Sequence, residues 1–130
     1  MSVQHIAFGC RDIYKQEEFY GRHFGFKRAR TFKPGQPGEF IMLRKDNTCL
    51  EFFKADEAEG LSGGEQKVGF RHLAFEVENI EKLLPALKAD GIEPDPVIDC
   101  AKHCEGMFVC FFNDPEGNRV ELVQGYVDEE

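Results

Sequence analysis

The stretch Val3-Gln-His-Ile-Ala-Phe-Gly-Cys-Arg-Asp-Ile13 decides the fold, because a similar stretch, Phe70-Arg-His-Leu-Ala-Phe-Glu-Val-Glu-Asn-Ile80, follows it 67 residues later (70 minus 3). The two stretches align His5 with His72 and match at most of the apolar positions around them. A repeat at about half the chain length is typical of two tandem copies of one structural unit. The sequence therefore predicts an internally duplicated protein.

Each half continues with the same order of elements. A helix-like stretch ends at a glycine in both halves, Gly25 in the first and Gly91 in the second, and glycine is favoured at helix C-termini. A strand is expected next, near 28–33 and near 93–98. Each half then closes with an apolar hairpin, formed by 40–44 and 49–53 around the turn 45–47, and by 108–112 and 120–123 around the turn 113–118. This pattern predicts strand, helix and three strands in each half.

Pro85 interrupts the second helical stretch. Its ring removes a backbone hydrogen bond and clashes with the preceding turn. We expect a kink or a later start of this helix.

Composition limits the class of protein. A chain of 130 residues with 42% hydrophobic residues is long enough for one globular domain, with a first module at about 1–55, an exposed linker at 56–69 and a second module at about 70–127. The formal net charge of -8 disfavours a nucleic-acid partner. No apolar run approaches the roughly 18 residues that span a bilayer. With five cysteines, several of them in apolar runs, we expect a cytoplasmic protein without a membrane partner.

Four polar residues occupy matched places in apolar, strand-like runs: His5, Glu51, His72 and Glu121. Each glutamate has apolar neighbours on both faces of its strand, and a buried carboxylate needs a cation or a proton. A histidine or glutamate on a strand is, taken singly, more often structural than a ligand, but these recur in both halves. Two modules related by a pseudo-twofold axis would bring the pairs together. Imidazole and carboxylate groups bind Zn, Ni, Co, Mn and Fe(II), so we predict one divalent metal site with a position open for substrate.

Further motifs accompany the histidine stretches: Phe19-Tyr20 followed by Phe24-Gly-Phe26, and the closing Asp114-Pro-Glu-Gly-Asn-Arg-Val-Glu-Leu122. Over nearly the whole chain the sequence resembles the vicinal oxygen chelate superfamily, which includes glyoxalase I, extradiol dioxygenases and bleomycin resistance proteins. The resemblance implies an α+β fold in which two tandem βαβββ modules form a curved mixed-sheet cleft around the metal. It also implies a homodimer.

The sequence is most similar to glyoxalase I-like proteins, which also carry a glutamate at the position of Glu51. That similarity implies a lyase or isomerase in which a divalent metal chelates neighbouring oxygens of a small-molecule substrate and stabilises an enediolate. Glu121, with Glu51, would transfer the proton. The alternatives are an Fe(II)-dependent extradiol-type dioxygenase and a resistance protein that sequesters its ligand. The sequence leaves open whether the ligands meet within one chain or across two subunits.

Two positions depart from glyoxalase I. That enzyme binds glutathione through an arginine four residues beyond its first histidine and an asparagine four residues beyond its first-module glutamate, and here those positions are Gly9 and Ala55. The departure argues against a glutathione hemithioacetal as substrate. Other basic residues that could supply charge are Arg11, Arg71 and Lys102.

The stretch Cys100-Ala-Lys-His-Cys104 places two thiols close together. A soft-metal site or a redox pair is one interpretation. A structural zinc site normally needs a second ligand pair at a matching spacing, so we favour a loop at the mouth of the cleft.

Overall fold

The computed structural model describes residues 1–56 and 70–129. The chain divides into two compact units at residues 60 and 61. The first unit contains β1 (Ile6–Cys10), α1 (Ile13–Phe24), β2 (Lys27–Phe32), β3 (Phe40–Lys45) and β4 (Thr48–Lys54). The second contains β5 (Leu73–Glu76), α2 (Ile80–Ala89), β6 (Ile98–Asp99), β7 (Phe108–Asn113) and β8 (Arg119–Gln124). The predicted α+β fold of two βαβββ modules is confirmed. Residues 57–69 of the predicted linker 56–69 lie outside the described residues.

The two sheets have the same topology. The first has the strand order β1-β4-β3-β2 and the second has β5-β8-β7-β6. In each sheet the first strand pairs in parallel with the last, and the remaining pairs are antiparallel. The parallel register places Ala7 beside Glu51 in the first sheet and Ala74 beside Glu121 in the second. Both glutamates therefore occupy equivalent positions on inner strands.

Each helix covers one face of the sheet in its own unit. In the first unit the Tyr20 ring of α1 lies 5.8 Å from the Phe52 ring of β4, and both residues are fully buried. In the second unit α2 contacts β7 and β8, on which Leu122 is fully buried. Because strand side chains alternate between faces, Glu51 and Glu121 lie on the faces turned away from the helices.

Polar caps and glycines set the limits of the helices. The Asp12 side chain accepts hydrogen bonds from two backbone N–H groups in the first turn of α1, and Asn79 accepts one from α2. Gly25, with φ of 75°, ends α1, and Gly91, with φ of 84°, follows the last residues of α2. Gly25 is the predicted C-cap of α1, whereas the prediction for Gly91 is wrong by one residue, because the C-cap of α2 is Asp90. None of the described helices is long and apolar enough to cross a membrane.

The prolines of the second unit affect its elements differently from our predictions. Helix α2 is continuous across Pro85, so the later start is wrong, and the kink stays a prediction. The strand predicted near 93–98 is wrong in extent, because β6 has only two residues, Ile98 and Asp99. Pro94 and Pro96 precede it, and proline cannot donate a hydrogen bond to a sheet.

A buried aspartate organises the hairpin between β7 and β8. Asp114 is 4% exposed. Its Oδ1 accepts hydrogen bonds of 2.9 Å from the backbone N–H groups of Glu116 and Asn118, and Asn118 Nδ2 donates to Oδ2 at 2.9 Å. The turn joins the two strands in the register that pairs Phe111 with Glu121. The closing motif of the sequence is thus partly a turn motif.

We predict that Asp114→Ala destabilises the second unit by about 2 to 4 kcal/mol, because one buried and one part-buried backbone donor lose their acceptor at about 1 to 3 kcal/mol each. Urea unfolding followed by circular dichroism measures the change. Glu93→Ala, at an exposed position, serves as the control and should shift stability by less than about 0.5 kcal/mol. Equal stability of the two variants would contradict the role given to the turn.

A second buried carboxylate fastens the loop before β3 to α1. The Tyr14 hydroxyl donates a hydrogen bond to Glu39 Oε1, and the Gly35 N–H donates to Oε2 at 2.8 Å. Lys54 Nζ lies 3.7 Å from Oε1. The Tyr14 hydrogen bond is the main cause, and the Gly35 hydrogen bond the next, of a pKa of Glu39 below its ordinary value.

We predict that Tyr14→Phe raises the pKa of Glu39 and lowers stability at neutral pH. A carboxyl group with a depressed pKa in the folded state stabilises the fold above its unfolded pKa and loses that contribution as the pH falls through the folded pKa. The stability difference between the parent and Tyr14→Phe should therefore shrink in acid. Urea unfolding between pH 7 and pH 3 measures it. In a Glu39→Gln background the same substitution should give a difference that does not change with pH in that range.

Candidate metal centre

The first unit brings together His5 and Glu51, two of the four predicted ligands. Nε2 of His5 lies 3.5 Å from Oε1 of Glu51. The Glu51 side chain is 10% exposed and the His5 side chain 40% exposed. The burial predicted for the carboxylate is therefore confirmed, and the imidazole beside it is accessible.

The position predicted for the histidines within strands is wrong by one residue. The strands begin at Ile6 and Leu73, directly after His5 and His72, because pairing with β4 and β8 begins there. Each imidazole is therefore placed by the end of a strand, where its ring reaches solvent.

Gln4 determines which nitrogen of His5 faces the carboxylate. Gln4 Oε1 lies 2.5 Å from Nδ1 of His5, and Gln4 Nε2 lies 3.9 Å from the sulfur of Met42. An amide oxygen only accepts hydrogen bonds, so Nδ1 carries the proton of a neutral ring. The lone pair is then on Nε2, the atom closest to Glu51. A partner of this kind is common for histidines that bind metals.

The second unit repeats this pair with the same atoms. Nε2 of His72 lies 3.1 Å from Oε1 of Glu121, and the side chains are 31% and 14% exposed. The His72 ring packs edge-on against the Phe111 ring, with 5.3 Å between centroids. Phe111 is also the partner of Glu121 across β7 and β8. An aromatic residue thus supports the histidine here, where Gln4 does so in the first unit.

Arg119 is a functional candidate that sequence reasoning missed. It precedes Glu121 by two positions on β8, so both side chains project from the same face. Its guanidinium carbon lies 5.2 Å from the centroid of Phe111. It also donates to Asp95 Oδ2 and, at 3.3 Å, to Asn113 Oδ1. The sequence signal for Arg119 was its spacing of two residues from Glu121. Its contact with Phe111 could not be predicted in the same way, because Phe111 lies on the neighbouring strand.

The basic residues named from sequence occupy other positions. Arg11, Arg71 and Lys102 are all exposed. Arg11 follows β1, Arg71 precedes His72, and Lys102 lies between β6 and β7. Arg119, by contrast, lies on the same face of β8 as Glu121.

Each unit places one histidine beside one glutamate. Within neither unit do residues of 1–56 or 70–129 include three His, Cys, Asp or Glu side chains grouped to hold a metal. One imidazole and one carboxylate are fewer protein ligands than zinc centres use. The joining of the four residues in one centre stays a prediction.

Gly9 and Ala55 are small residues in direct proximity. A Cβ atom added to Gly9 would lie 3.2 Å from the Ala55 Cβ, and the Ala55 N–H donates to the Cys10 carbonyl at 2.9 Å. Neither position provides a charged or amide side chain. A longer residue at Gly9 would require Ala55 to move.

Comparisons with known proteins identify relatives over most of the chain. The model of the glyoxalase/bleomycin resistance protein/dioxygenase superfamily matches residues 2–122. A glyoxalase family protein from Enterococcus faecalis is 30% identical, with a TM-score of 0.76 and coverage of 95% of this chain and 97% of that one. The fosfomycin resistance protein FosX from Listeria monocytogenes, complexed with Mn(II) and sulfate, is 17% identical, with a TM-score of 0.72 and coverage of 97% and 93%, and shares the fold. Lactoylglutathione lyase GLX1 of Arabidopsis thaliana is 26% identical over 92% of this chain, which spans 43% of that protein.

Proposed function

Because the chain belongs to the glyoxalase/bleomycin resistance protein/dioxygenase superfamily, we propose that it is a metal-dependent lyase or isomerase of glyoxalase type. The four residues that bind the divalent metal are His5, Glu51, His72 and Glu121. The observation that carries the proposal is the equivalent pairing of a histidine Nε2 with a glutamate Oε1 in both units.

The chemistry of these donors fits a divalent ion of the Zn, Ni, Co, Mn or Fe(II) group, which accepts nitrogen and oxygen ligands. Both carboxylates are largely withdrawn from water, and an ionised carboxylate in such a place needs a positive partner. Among the described contacts each glutamate pairs only with a histidine. When bound, the metal polarises two neighbouring oxygens of the substrate as a Lewis acid.

Proton transfer is assigned to Glu121, with Glu51 as its counterpart. Glu121 removes a proton from the carbon next to a substrate carbonyl, and a carboxyl group returns it to the neighbouring carbon. Phe111 pairs with Glu121 across the two strands, its ring packs against His72, and the Glu121 side chain is 14% exposed. Arg119, on the same face of β8, provides the positive charge that orients an anionic end of the substrate.

The Glu51 pair favours this reaction over the dioxygenase alternative. A facial triad for iron uses two histidines and one carboxylate, which leaves Glu51 without a role. Glu51 nevertheless has the strand position and histidine contact of Glu121. A protein that only sequesters its ligand would need neither of the two histidine–glutamate pairs.

We predict that the chain binds one Mn(II) or Zn(II) ion and that Glu51→Gln, Glu121→Gln and His72→Ala each weaken binding at least about tenfold, because even the loss of an outer-shell partner typically costs about that much. Isothermal titration and metal analysis after dialysis measure affinity and stoichiometry. Glu81→Gln, exposed on α2, is the matched control. Two ions per chain would mean that each pair binds separately, and full affinity in Glu51→Gln would remove that residue from the centre.

We also predict that the metal-loaded protein exchanges the carbon-bound proton of a methylglyoxal hemithioacetal with solvent. Glu121→Gln should lower the rate at least about 100-fold, the lower limit for loss of a general base. Proton NMR in D2O measures the exchange, again with Glu81→Gln as control. Since Gly9 and Ala55 offer no glutathione contact, hemithioacetals of glutathione and of 2-mercaptoethanol should react at similar rates. Unchanged exchange in Glu121→Gln would contradict the assigned base.

A further inference from the structure

The second unit carries a sulfur-rich loop that the proposed function does not use. Three sulfur-bearing residues, Cys100, Cys104 and Met107, lie between β6 and β7. None of the five cysteines, all of which lie in the described part of the chain, takes part in a disulfide, and the other three are buried, namely Cys10, Cys49 and Cys110. The two loop thiols are half-buried, so they are the thiols best placed to meet a ligand from solution.

Backbone hydrogen bonds connect the three loop residues to one another. The Cys104 N–H donates to the Cys100 carbonyl at 2.9 Å, and the Met107 N–H donates to the Cys104 carbonyl at 3.1 Å. The Cys100 N–H donates to the Met107 carbonyl at 2.9 Å. Each residue is therefore bonded to both others, and the three side chains start from neighbouring points of the backbone.

The spacing of the thiols favours a bridging cation over a disulfide. Residues at i and i+4 of a helical turn have Cβ atoms about 5 to 6 Å apart. A disulfide needs about 3.5 to 4.5 Å between them. In a three-coordinate site, a cation at about 2.3 Å from each thiolate keeps the sulfur atoms about 4 Å apart, compared with about 2.0 Å in a disulfide, which suits the wider spacing.

The loop is fixed without a ligand. Asp99 Oδ1 accepts a hydrogen bond of 2.9 Å from the Ala101 N–H at the start of the turn. At the other end, Gly106 and Gly125 adopt left-handed φ angles of 84° and 78°, and a Cβ on Gly125 would collide with the Gly106 carbonyl. The close packing holds the loop against the segment after β8, which lowers the ordering cost of binding.

The thiols make only weak contacts that a ligand can replace. Cys100 Sγ lies 3.8 Å from the Ile98 carbonyl oxygen, and Cys104 Sγ lies 3.9 Å from that of Val127. A thiol is a weak hydrogen-bond donor, so little is lost when it is deprotonated and bound.

We propose that Cys100, Cys104 and Met107 form a binding site for a soft monovalent cation of the Cu(I) class. Thiolate and thioether ligands select Cu(I), whereas the nitrogen and oxygen donors of the four-residue centre suit harder divalent ions. Binding forms two metal–thiolate bonds and one metal–thioether bond and releases two thiol protons to solvent. Copper enters and stays as Cu(I), so no electron is transferred.

Anaerobic titration of the full-length, reduced protein with Cu(I), in competition with the chromogenic chelator bicinchoninate, tests the site. We expect one tightly bound Cu(I) per chain. Cys100→Ser and Cys104→Ser should each weaken binding at least about tenfold, and Met107→Leu less, because a thioether is the weaker ligand. Ala101→Ser alters the same turn but keeps all three sulfurs, and its affinity should be unchanged. A Glu51→Gln/Glu121→Gln variant should also bind Cu(I) as the parent does.

X-ray absorption of the copper-loaded parent gives a second measurement that does not depend on how the variants fold. Sulfur-only coordination supports the proposal, and nitrogen or oxygen ligands would overturn it. Parental affinity in folded Cys100→Ser and Cys104→Ser variants would overturn it as well. So would a mass lower by two hydrogen atoms after the copper has been stripped from the protein in acid, because that loss signals a disulfide between the two thiols.

Discussion

The parallel pairing of the first and last strands of each unit is the constraint on which the candidate site depends. A parallel pair requires a long crossover, and the helix and two middle strands supply it in both halves. The pairing sets Ala7 beside Glu51 and Ala74 beside Glu121. A slip of one residue would turn each glutamate toward its helix, where the core is apolar. The register therefore places each carboxylate beside a histidine.

The carboxylates are the costly part of the arrangement. Removing an ionised carboxylate from water costs several kcal/mol unless charge and hydrogen bonds compensate it. Nε2 of His72 lies closer to Glu121, at 3.1 Å, than Nε2 of His5 lies to Glu51, at 3.5 Å. A neutral His5 ring with its proton on Nδ1 donates no hydrogen bond from Nε2, so it does not compensate the charge of Glu51. A divalent cation would compensate both acids, which is the physical reason that such residues are ligand candidates.

Local sequence signals predicted most of the fold. The repeat predicted the order of elements, and turn residues placed both hairpins, because these features depend on a few neighbouring residues. Strand ends were less predictable, since the partner strand decides where pairing begins, as at Ile6 and Leu73. The candidate ligands were visible because they recur. The contact of Arg119 with Phe111 was not, because it joins residues on different strands.

Unequal lengths show that the register, and not the spacing along the chain, is what the two halves share. Glu51 follows His5 by 46 residues and Glu121 follows His72 by 49 (51 minus 5 and 121 minus 72), yet the pairing around each glutamate is the same. The difference falls in the segments between the paired strands. Insertions there leave the position of a ligand unchanged.

The neighbours of the two glutamates break this symmetry. Two positions before Glu51 is Cys49, which is buried, and two positions before Glu121 is Arg119, whose guanidinium packs on Phe111. A duplicated site alone would give two equivalent carboxylates. The two carboxylates therefore have different surroundings, and the Arg119 guanidinium beside Glu121 also pairs with Asp95. The strand face that Glu121 shares with Arg119 supports the proposal of Glu121 as the base.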